Sequence, residues 1–511
     1  MRDHDVHVHP SSQSLAREEQ LAWKLAVVAG DPVGLDDDVA EMIINRVIDN
    51  TGVAVAALRR PPVANARAQA LAHPHGGGAT VMGVDPLRRV SCEWAAWANT
   101  AAVRELDFHD TYLAQDMNHP GDMISAIVAV AQQCGATGRD LLAGVASAYE
   151  VSGALTGAIA LHPHRIDHLP HIAAGMVAGI ATTLQLPIDV TYHAINHVVH
   201  VTVTTRQSRK GAISSWKAHA PAHAAKLAVE AVDRALRGDT SPAPIYEGDD
   251  SIIAWLLDGP TAHYLVRLPE TGEAKRAIMD TYTKAYSAEI QAQAWIDLAF
   301  RLRETIASTS AIDEVVIHTS HHTHRIIGSG SGDPQKYDPD ASRETLDHSL
   351  MYIFAVALED GHWHHETSYR RERARRPSTV RLWRSIRTVE DAGWNQRYHH
   401  DDPQQRAFGG RAVIRLHDGR EIVDQIDVAH AHPRGQRPFT RDDYVGKFKS
   451  LTAHVVPDEE RERFLATALD LRDVEAAGLG GLNVVVPPSH LAVDGLTDGL
   501  FERRGPSETH A

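Results

Sequence analysis

The chain has 511 residues, of which 43% are hydrophobic and 23% are charged, a composition typical of a globular protein with about two or three domains. Its formal net charge of −15 excludes the broad basic surface that nucleic-acid binding requires. The two cysteines, Cys92 and Cys134, are too few for a disulfide framework or for a four-cysteine zinc or iron–sulfur site within one chain.

The N-terminal segment 1–19 is polar and rich in histidine, and it has no apolar signal-peptide core. No apolar run along the chain reaches the roughly 18 residues that a membrane span requires. We therefore expect a cytoplasmic protein with no membrane partner and no nucleic-acid partner.

Hydrophobic residues recur at helical spacing through most of the segment from about 21 to 275. Val39, Met42, Ile43 and Val47 are one example. A polar connection with two prolines, at 241–250, follows the last long helical stretch. The pattern predicts a large all-helical region.

The segment 107–122 carries four acids and two histidines and directly precedes an apolar run. Such a polar cluster is costly to bury without partners, so it is typical of an active-site loop. Asp122 is predicted to cap a helix that runs through Ala131. The positive end of that helix would favour an anion. Asp110, Asp116 and Asp122 are predicted to be structural or capping acids.

A basic segment follows further along the helical region, with Arg206, Arg209 and Lys210 close to Lys217. In an acidic protein these cations could hold a substrate with several carboxylates, or they could form a solvated surface turn. Lys217 follows Trp216 at a predicted helix start, where the pKa of a lysine can be lowered enough for it to act as a base.

From about 276 to 436 the pattern mixes strands and helices. The segments 314–319 and 379–383 are predicted strands, 411–427 is a predicted hairpin with its turn at Asp418-Gly419, and 346–358 carries a helical apolar stripe. After residue 436 the pattern is helical again, and from Gly478 onward it predicts loops and a frayed tail.

Two polar segments of this mixed region are further candidates. Lys284 and Glu289 are five residues apart, so their side chains converge only if the backbone breaks near Ser287; a solvated helix face is the plainer interpretation. Tyr352, four residues after His348, could donate into a cleft or could be an ordinary core tyrosine behind a helix cap.

Histidine is abundant, with 33 copies and local runs at 318–324 and 362–365. Such spacing could bind zinc, and a histidine-rich metal-binding protein without catalysis is the alternative from another functional class. No His-Glu-x-x-His motif occurs, so the pattern favours a site without metal.

Several motifs in order along the chain together resemble the MmgE/PrpD family. They are Asp107-Phe108-x-Asp110-Thr111, His119-Pro120-x-Asp122, Ile166-Asp167-His168, Ser215-Trp216, Ser287-Ala288-Glu289 and Asp347-His348-Ser349-x-x-Tyr352. The resemblance continues from Asp333-Pro334 to Phe448 and so covers most of the chain. Several spaced motifs in the right order are more specific than any one of them.

This resemblance implies a mostly α fold. A large helical domain would comprise residues 1–275 and 437–511, with a smaller α+β lid domain, residues 276–436, inserted between them. It also implies a homodimer, a cleft between the two domains, and elimination of water from a small tricarboxylate without metal or other cofactor. The branch with the most similar motifs acts on 2-methylcitrate in propionate breakdown. Decarboxylation of cis-aconitate, or another lyase or isomerase reaction, is the alternative within the family.

The resemblance also implies the site residues. The catalytic set is Asp107, His119, His168, Lys217, Lys284 and Tyr352, and the substrate-binding set is Thr111, Arg206, Arg209, Lys210 and Glu289. The decarboxylase branch has a histidine where this chain has Glu289, which favours dehydration.

We assign proton transfer to His119 and His168 without deciding which is the base, and we expect Asp107 to fix the tautomer of one imidazole. His162, His164 and His171 are the neighbouring alternatives to His168. The cations would bind the carboxylates, and Tyr352 would donate a hydrogen bond. Two cysteines cannot supply the iron–sulfur cluster of aconitase-type enzymes, so protein acids and bases must catalyse this reaction.

Overall fold

The computed structural model of the protein describes residues 1–400, 402–493 and 498–501. Helices dominate, which confirms the predicted mostly α fold. The helices up to residue 275 are α1 Leu21–Gly30, α2 Asp37–Ala57, α3 Pro61–Leu71, α4 Cys92–Glu105, α5 Ile124–Cys134, α6 Gly138–Ala158, α7 Leu169–Thr183, α8 Ile188–Thr202, α9 Trp216–Leu236 and α10 Ile252–Leu256. The later ones are α11 Gln293–Arg303, α12 His321–Ile326, α13 Arg343–Leu346, α14 Leu350–Asp360, α15 Arg371–Ala374, α16 Pro377–Arg384, α17 Ala392–Tyr398, α18 Arg441–Thr452 and α19 Asp458–Leu469.

The strands are few and form small sheets. They are β1 Arg2–His7, β2 Pro74–Ala79, β3 Tyr112–Leu113, β4 Met117–Asn118, β5 His263–Leu268, β6 Ile312–Thr319, β7 Ile386–Glu390, β8 Gly410–Leu416 and β9 Glu421–Ile426. β1 pairs antiparallel with β5, and β3 with β4. The remaining sheet has the order β7-β6-β8-β9, in which β6 is parallel to β7 and antiparallel to β8.

The first hydrophobic core draws its residues from 6–278 and from 448–486; we call these segments the helical region. Small residues let its helices approach closely. A Cβ added to Gly175 of α7 would lie 2.8 Å from the carbonyl oxygen of Ala148 in α6, closer than two such atoms can pack. Helices α18 and α19, which the late helical pattern predicts, contribute Phe448 and Phe464 to this core.

The second hydrophobic core lies wholly within residues 288–426, which we call the lid region. Helices α11 and α14 pack there with the four-stranded sheet, and the hairpin β8-β9 turns at the predicted Asp418-Gly419. The exact division at 275/276 and 436/437 stays a prediction. The predicted tail extends into residues 494–497 and 502–511, which lie outside the described residues.

The strand predicted at 379–383 is wrong. These residues belong to α16, which begins at Pro377 and buries Thr379, Leu382 and Trp383 on one side. Proline suits the first turn of a helix, where its missing N–H is not needed. Buried side chains three and four positions apart are typical of a helix. The segment of five residues is too short for its sequence to distinguish this helical spacing from the alternation of a strand.

None of the helices in the described part of the chain combines the length and the apolar character that a membrane span requires.

Candidate active site

The polar segment 107–122 folds into the interior of the helical region. It forms the short hairpin β3-β4 and then a 3-10 turn, Pro120–Met123, that leads into α5. The prediction that Asp122 caps this helix is wrong, because Met123 is the N-cap and makes no side-chain capping bond. Asp122 is instead fully buried, with its Oδ1 3.0 Å from Nε2 of His109. Buried carboxylates need such partners more than a helix end needs a cap.

Asp107 is the centre of a buried cation cluster. Its carboxylate lies 2.6 Å from Arg104 and 3.0 Å from the Lys217 ammonium, and it also accepts a hydrogen bond from Lys284. Burial alone would raise the pKa of Asp107, but the three cations hold it well below its usual range. The predicted role of fixing an imidazole tautomer does not match this geometry, because the hydrogen-bond donors to this carboxylate among the described residues are cations.

A second buried carboxylate binds the same lysine from the other side. Both oxygens of Asp347 lie 2.8 Å from Lys217 Nζ, and Arg343 donates to Asp347 at 2.9 Å. His348 Nδ1 is 2.5 Å from Asp347. Lys217 belongs to α9 of the helical region, whereas Asp347 and Arg343 belong to the lid region. This ion cluster therefore joins the two regions at the place where the polar motifs meet.

His119 lies at the end of the hairpin and is almost fully buried. Its Nδ1 is 3.0 Å from the hydroxyl of Thr111, which is itself held by backbone hydrogen bonds to Tyr282. Burial, together with the nearby cations Arg104 and Lys284, lowers the pKa of His119 well below its ordinary value of 6.5. His119 is therefore a neutral imidazole near neutral pH.

His168 faces His119 with the opposite electrostatic environment. The ring centroids are 5.4 Å apart, and the planes are nearly perpendicular. His168 Nδ1 lies 2.8 Å from Asp167, and Nε2 lies 4.0 Å from Asp122. Burial lowers the pKa of His168, but the carboxylates of Asp167 and Asp122 raise it by more, so the net shift is upward. Nε2 has no hydrogen-bond partner among the described residues.

The neighbouring histidines have other contacts. His162 pairs with Asp116, and His171 lies 2.8 Å from the carbonyl oxygen of Ile159. His164 is near Asp258, at 3.3 Å. The geometry thus brings His168, and not these three, into ring contact with His119.

The interpretation of Lys284 and Glu289 as a solvated helix face is wrong, because the backbone between them is irregular and both side chains are buried. Glu289 caps the 3-10 turn Ile290–Ala292, accepting from the backbone of Gln291 at 2.6 Å. Burial raises the pKa of Glu289 to about 7, although the Lys284 cation opposes this. Burial also lowers the pKa of Lys284, with Asp107 opposing.

An open cleft of about 1130 Å³ lies between the helical region and the lid region. Arg206 and Arg209 line its wall, and Arg209 Nε lies 3.2 Å from Asp167, the partner of His168. Arg206 Nε and one terminal nitrogen of Arg209 are buried without hydrogen-bond partners among the described residues. Lys210 also lines the cleft, but it already contacts Asp333 at 2.9 Å. Both arginines therefore keep a guanidinium nitrogen without a hydrogen-bond partner among the described residues.

The predicted donor Tyr352 lies apart from these groups, in the core of the lid region. Its hydroxyl donates to the carbonyl oxygen of Ser368 at 2.5 Å, and its ring packs edge-on against Trp383, 4.9 Å away. A hydroxyl already used in this way is not free to donate to a substrate. The structure thus favours the core-tyrosine interpretation.

We expect Tyr352→Phe to lower the free energy of unfolding by about 0.5–1.5 kcal/mol, the usual net value of one hydrogen bond, measured by urea denaturation. The value of kcat/KM should stay near that of the unsubstituted protein, because no contact with the reacting atoms is lost. A large fall in kcat/KM with unchanged stability would place this hydroxyl at the substrate instead.

The sequence patterns missed several residues that complete the site. Arg104 and Arg343 balance the buried acids, and Asp122, Asp167 and Asp347 orient the imidazole or ammonium groups. Asp167 and Asp347 stood inside recognised motifs, directly before a histidine. Arg104 carried no signal, since a single arginine at the end of a helix is usually exposed.

Most of the chain is similar to proteins of one known family. Residues 19–265 match the MmgE/PrpD N-terminal domain, and residues 286–473 match the MmgE/PrpD C-terminal domain. The 2-methylcitrate dehydratase of Salmonella typhimurium is 26% identical over 404 residues, which cover 75% of this chain and 79% of that relative. The enzyme of the same name from Cupriavidus necator is 25% identical over 405 residues, with the same coverage. A probable 2-methylcitrate dehydratase of Saccharomyces cerevisiae is 26% identical over 410 residues, 74% of each chain.

Proposed function

The chain belongs to the MmgE/PrpD family, and from this premise we propose that it is a hydro-lyase that eliminates water from 2-methylcitrate to give 2-methyl-cis-aconitate. Relatives with that name are 24–26% identical to it, so the dehydratase class is better supported than the individual substrate. The observation that carries the proposal is the facing pair His119 and His168, whose pKa values are shifted in opposite directions.

The cations around this pair suit a substrate with several carboxylates. Arg206 and Arg209 present unpartnered buried nitrogens on the cleft wall, and Lys217 and Lys284 lie deeper, held by Asp107. Removing a proton beside a carboxylate builds negative charge on a group that is already an anion. Fixed cations stabilise that charge without reorganisation during the reaction.

The opposite pKa shifts of His119 and His168 support a division of the two proton-transfer roles. His119 is neutral and can accept a proton, so we assign it as the general base. The carboxylates of Asp167 and Asp122 favour the protonated form of His168, and its Nε2 has no hydrogen-bond partner among the described residues, so we assign it as the general acid. For His119 to use Nε2 as the base, its Nδ1–H must donate to the Thr111 hydroxyl oxygen.

Elimination of water moves one proton to His119 and one from His168. His119 takes the proton from the carbon beside one carboxylate, and the electron pair of that C–H bond is first held as the enediolate of that carboxylate and then forms the new carbon–carbon double bond. The C–O bond of the neighbouring carbon breaks, and the departing oxygen takes the proton of His168 and leaves as water. His119 is now protonated and His168 neutral, and exchange with solvent resets both before the next turnover. Closure of the lid region over the substrate would exclude bulk water during these steps.

The proposed general acid predicts a specific pH dependence. His168 must be protonated to act, so kcat/KM should fall as the pH rises through the pKa of His168, which lies above 6.5. The proposed base His119 should remain neutral well below pH 6.5, so kcat/KM should not fall on the acid side near that pH. Asp167→Asn removes the anion beside His168 and should move the alkaline limb down by about one pH unit or more.

Glu289 supplies the control for this assignment, because burial gives it a pKa of about 7. Glu289→Gln removes that titration and should leave the alkaline limb in place. A limb that disappears in Glu289→Gln and does not move in Asp167→Asn would assign the limb to Glu289 and contradict the role of His168.

The proposal is tested by an absorbance assay near the enoate band, with stereoisomers of 2-methylcitrate and citrate side by side. We expect enoate formation from one 2-methylcitrate isomer at a higher kcat/KM than from citrate. Itaconate and CO₂ formed from cis-aconitate would instead identify a decarboxylase. Stoichiometric zinc in tag-free protein, with activity lost on chelation, would overturn catalysis by protein groups alone.

We also propose a homodimer, as the family resemblance implies. Light scattering should then give twice the 55.9 kDa chain mass. The cytoplasmic location and the role in propionate breakdown stay predictions that follow from the proposed activity.

A further inference from the structure

Three histidines at one edge of the lid region bring imidazole nitrogens together. His321 and His322 begin α12, and His399 follows the end of α17. One nitrogen of each ring lies within 4.8 Å of the other two, and His322 Nε2 is 3.0 Å from His399 Nε2. We propose that these three histidines form a binding site for a transition-metal dication of the zinc class, separate from the proposed catalytic groups.

The rings are already arranged so that little movement is needed. His321 stacks on His322 with centroids 4.4 Å apart, and His322 stacks on Tyr398 at 4.5 Å, which fixes its orientation. Zinc–nitrogen bonds of about 2.0–2.1 Å in tetrahedral geometry place ligand nitrogens about 3.3 Å apart. The 3.0 Å between His322 Nε2 and His399 Nε2 is close to that value, and all three ligand nitrogens lie within 4.8 Å of one another, so small ring rotations would complete the site.

The chemistry of the donor set selects the kind of metal. All three donors are imidazole nitrogens, which ligate a metal in their neutral form. Imidazole nitrogens favour zinc, cobalt, nickel and copper, whereas magnesium and calcium prefer oxygen ligands. Three protein ligands would leave at least one position for water or another ligand.

Two other groups of acids and histidines are less suited to a dication. Asp107, Asp347 and His348 also lie within 4.8 Å of one another, but both carboxylates are already neutralised by Lys217 and other buried cations. A dication there would face several positive charges at short range. Asp5, His7 and His263 lie on the β1-β5 pair, with only two imidazoles, and His263 already contacts Asp5 at 2.9 Å.

A bound metal would add a link between two elements that already touch, through the hydrogen bond from the His321 backbone N–H to Asn395 and through the contacts of His322 with Tyr398 and His399. It would tie α12 to the end of α17 and hold Tyr398 between them. The Tyr398 hydroxyl accepts from the side chain of Gln291 at 2.8 Å. The metal would therefore stabilise this edge of the lid region, and the midpoint of thermal unfolding should rise on zinc binding.

Calorimetric titration of tag-free protein with Zn²⁺ tests the site. His322→Gln and His399→Gln should each weaken binding at one site by at least about tenfold, because each removes a ligand. His263→Gln is the matched control, since it alters the Asp5 group and should leave this site unchanged. Far-UV circular dichroism confirms that the variants fold.

Cobalt gives an independent readout of the ligands. Co²⁺ should produce visible absorption bands that His399→Gln alters and His263→Gln does not. Binding of Zn²⁺ that is equally tight in His399→Gln and in the unsubstituted protein would overturn the proposal. So would the lack of any stoichiometric site in the unsubstituted protein.

Discussion

Replacing His119 by glutamine lowers kcat on 2-methylcitrate by roughly 10²–10⁴-fold, the usual contribution of a general base. The effect is expected on kcat and kcat/KM together, because the proton transfer occurs only in the transition state. Glutamine is close to histidine in volume, so the fold should be preserved although the 3.0 Å contact of Nδ1 with the Thr111 hydroxyl is lost. Steady-state assays by enoate absorbance measure the loss.

The matched control is His193→Gln, at a partly buried histidine of α8 that bonds Ser241 and lies outside the site. This variant should keep a kcat near that of the unsubstituted protein. Near-normal turnover in His119→Gln would contradict the role of His119 as general base, whatever the outcome for His168.

Replacing Asp107 by asparagine should lower the free energy of unfolding by about 3–5 kcal/mol, because one partner of a buried ion cluster is lost. The side-chain hydrogen bond of Lys284, among the described residues, goes to this carboxylate, so a buried ammonium is left without its counterion. Lys217 keeps Asp347 and is less affected. Urea denaturation measures the loss, and KM should rise because Lys284 is no longer held in position.

An exposed acid provides the comparison for this variant. Asp37 lies at the start of α2 and pairs with Arg472 at the surface, where an ion pair contributes little. Asp37→Asn should therefore leave the free energy of unfolding unchanged within error. If Asp107→Asn were as stable as Asp37→Asn, the central position of Asp107 in the cation cluster would be wrong.

Much of the fold could be predicted from the sequence, because it is recorded in local periodicity. The helices up to residue 275, the hairpin at Asp418-Gly419 and the late helices around Phe448 and Phe464 all carry a local pattern, whereas the packing of those late helices on the first core was implied only by the family resemblance. The strand prediction for 379–383 was wrong because five residues that include β-branched and aromatic side chains fit both a strand and one turn of helix. Pro377 was the signal that could have decided it.

The site was predicted less completely, because its electrostatics depend on long-range contacts. Lys217 meets Asp347 130 positions later, and no spacing rule connects them. Asp122 was expected at a helix cap but pairs with His109, and Tyr352 was expected in the cleft but donates to Ser368. The opposite pKa shifts of His119 and His168 follow only from knowing which charges face each ring.

Hydrogen–deuterium exchange at the substrate carbon tests the division of roles most directly. His168→Gln lacks the general acid but keeps the base. During incubation with 2-methylcitrate in D₂O, we expect it to place deuterium on the carbon beside the carboxylate without releasing product. His119→Gln should incorporate none, as mass spectrometry of the recovered substrate would show. Deuterium uptake in His119→Gln at a rate equal to or above that of His168→Gln would contradict the assignment of His119 as base and His168 as acid.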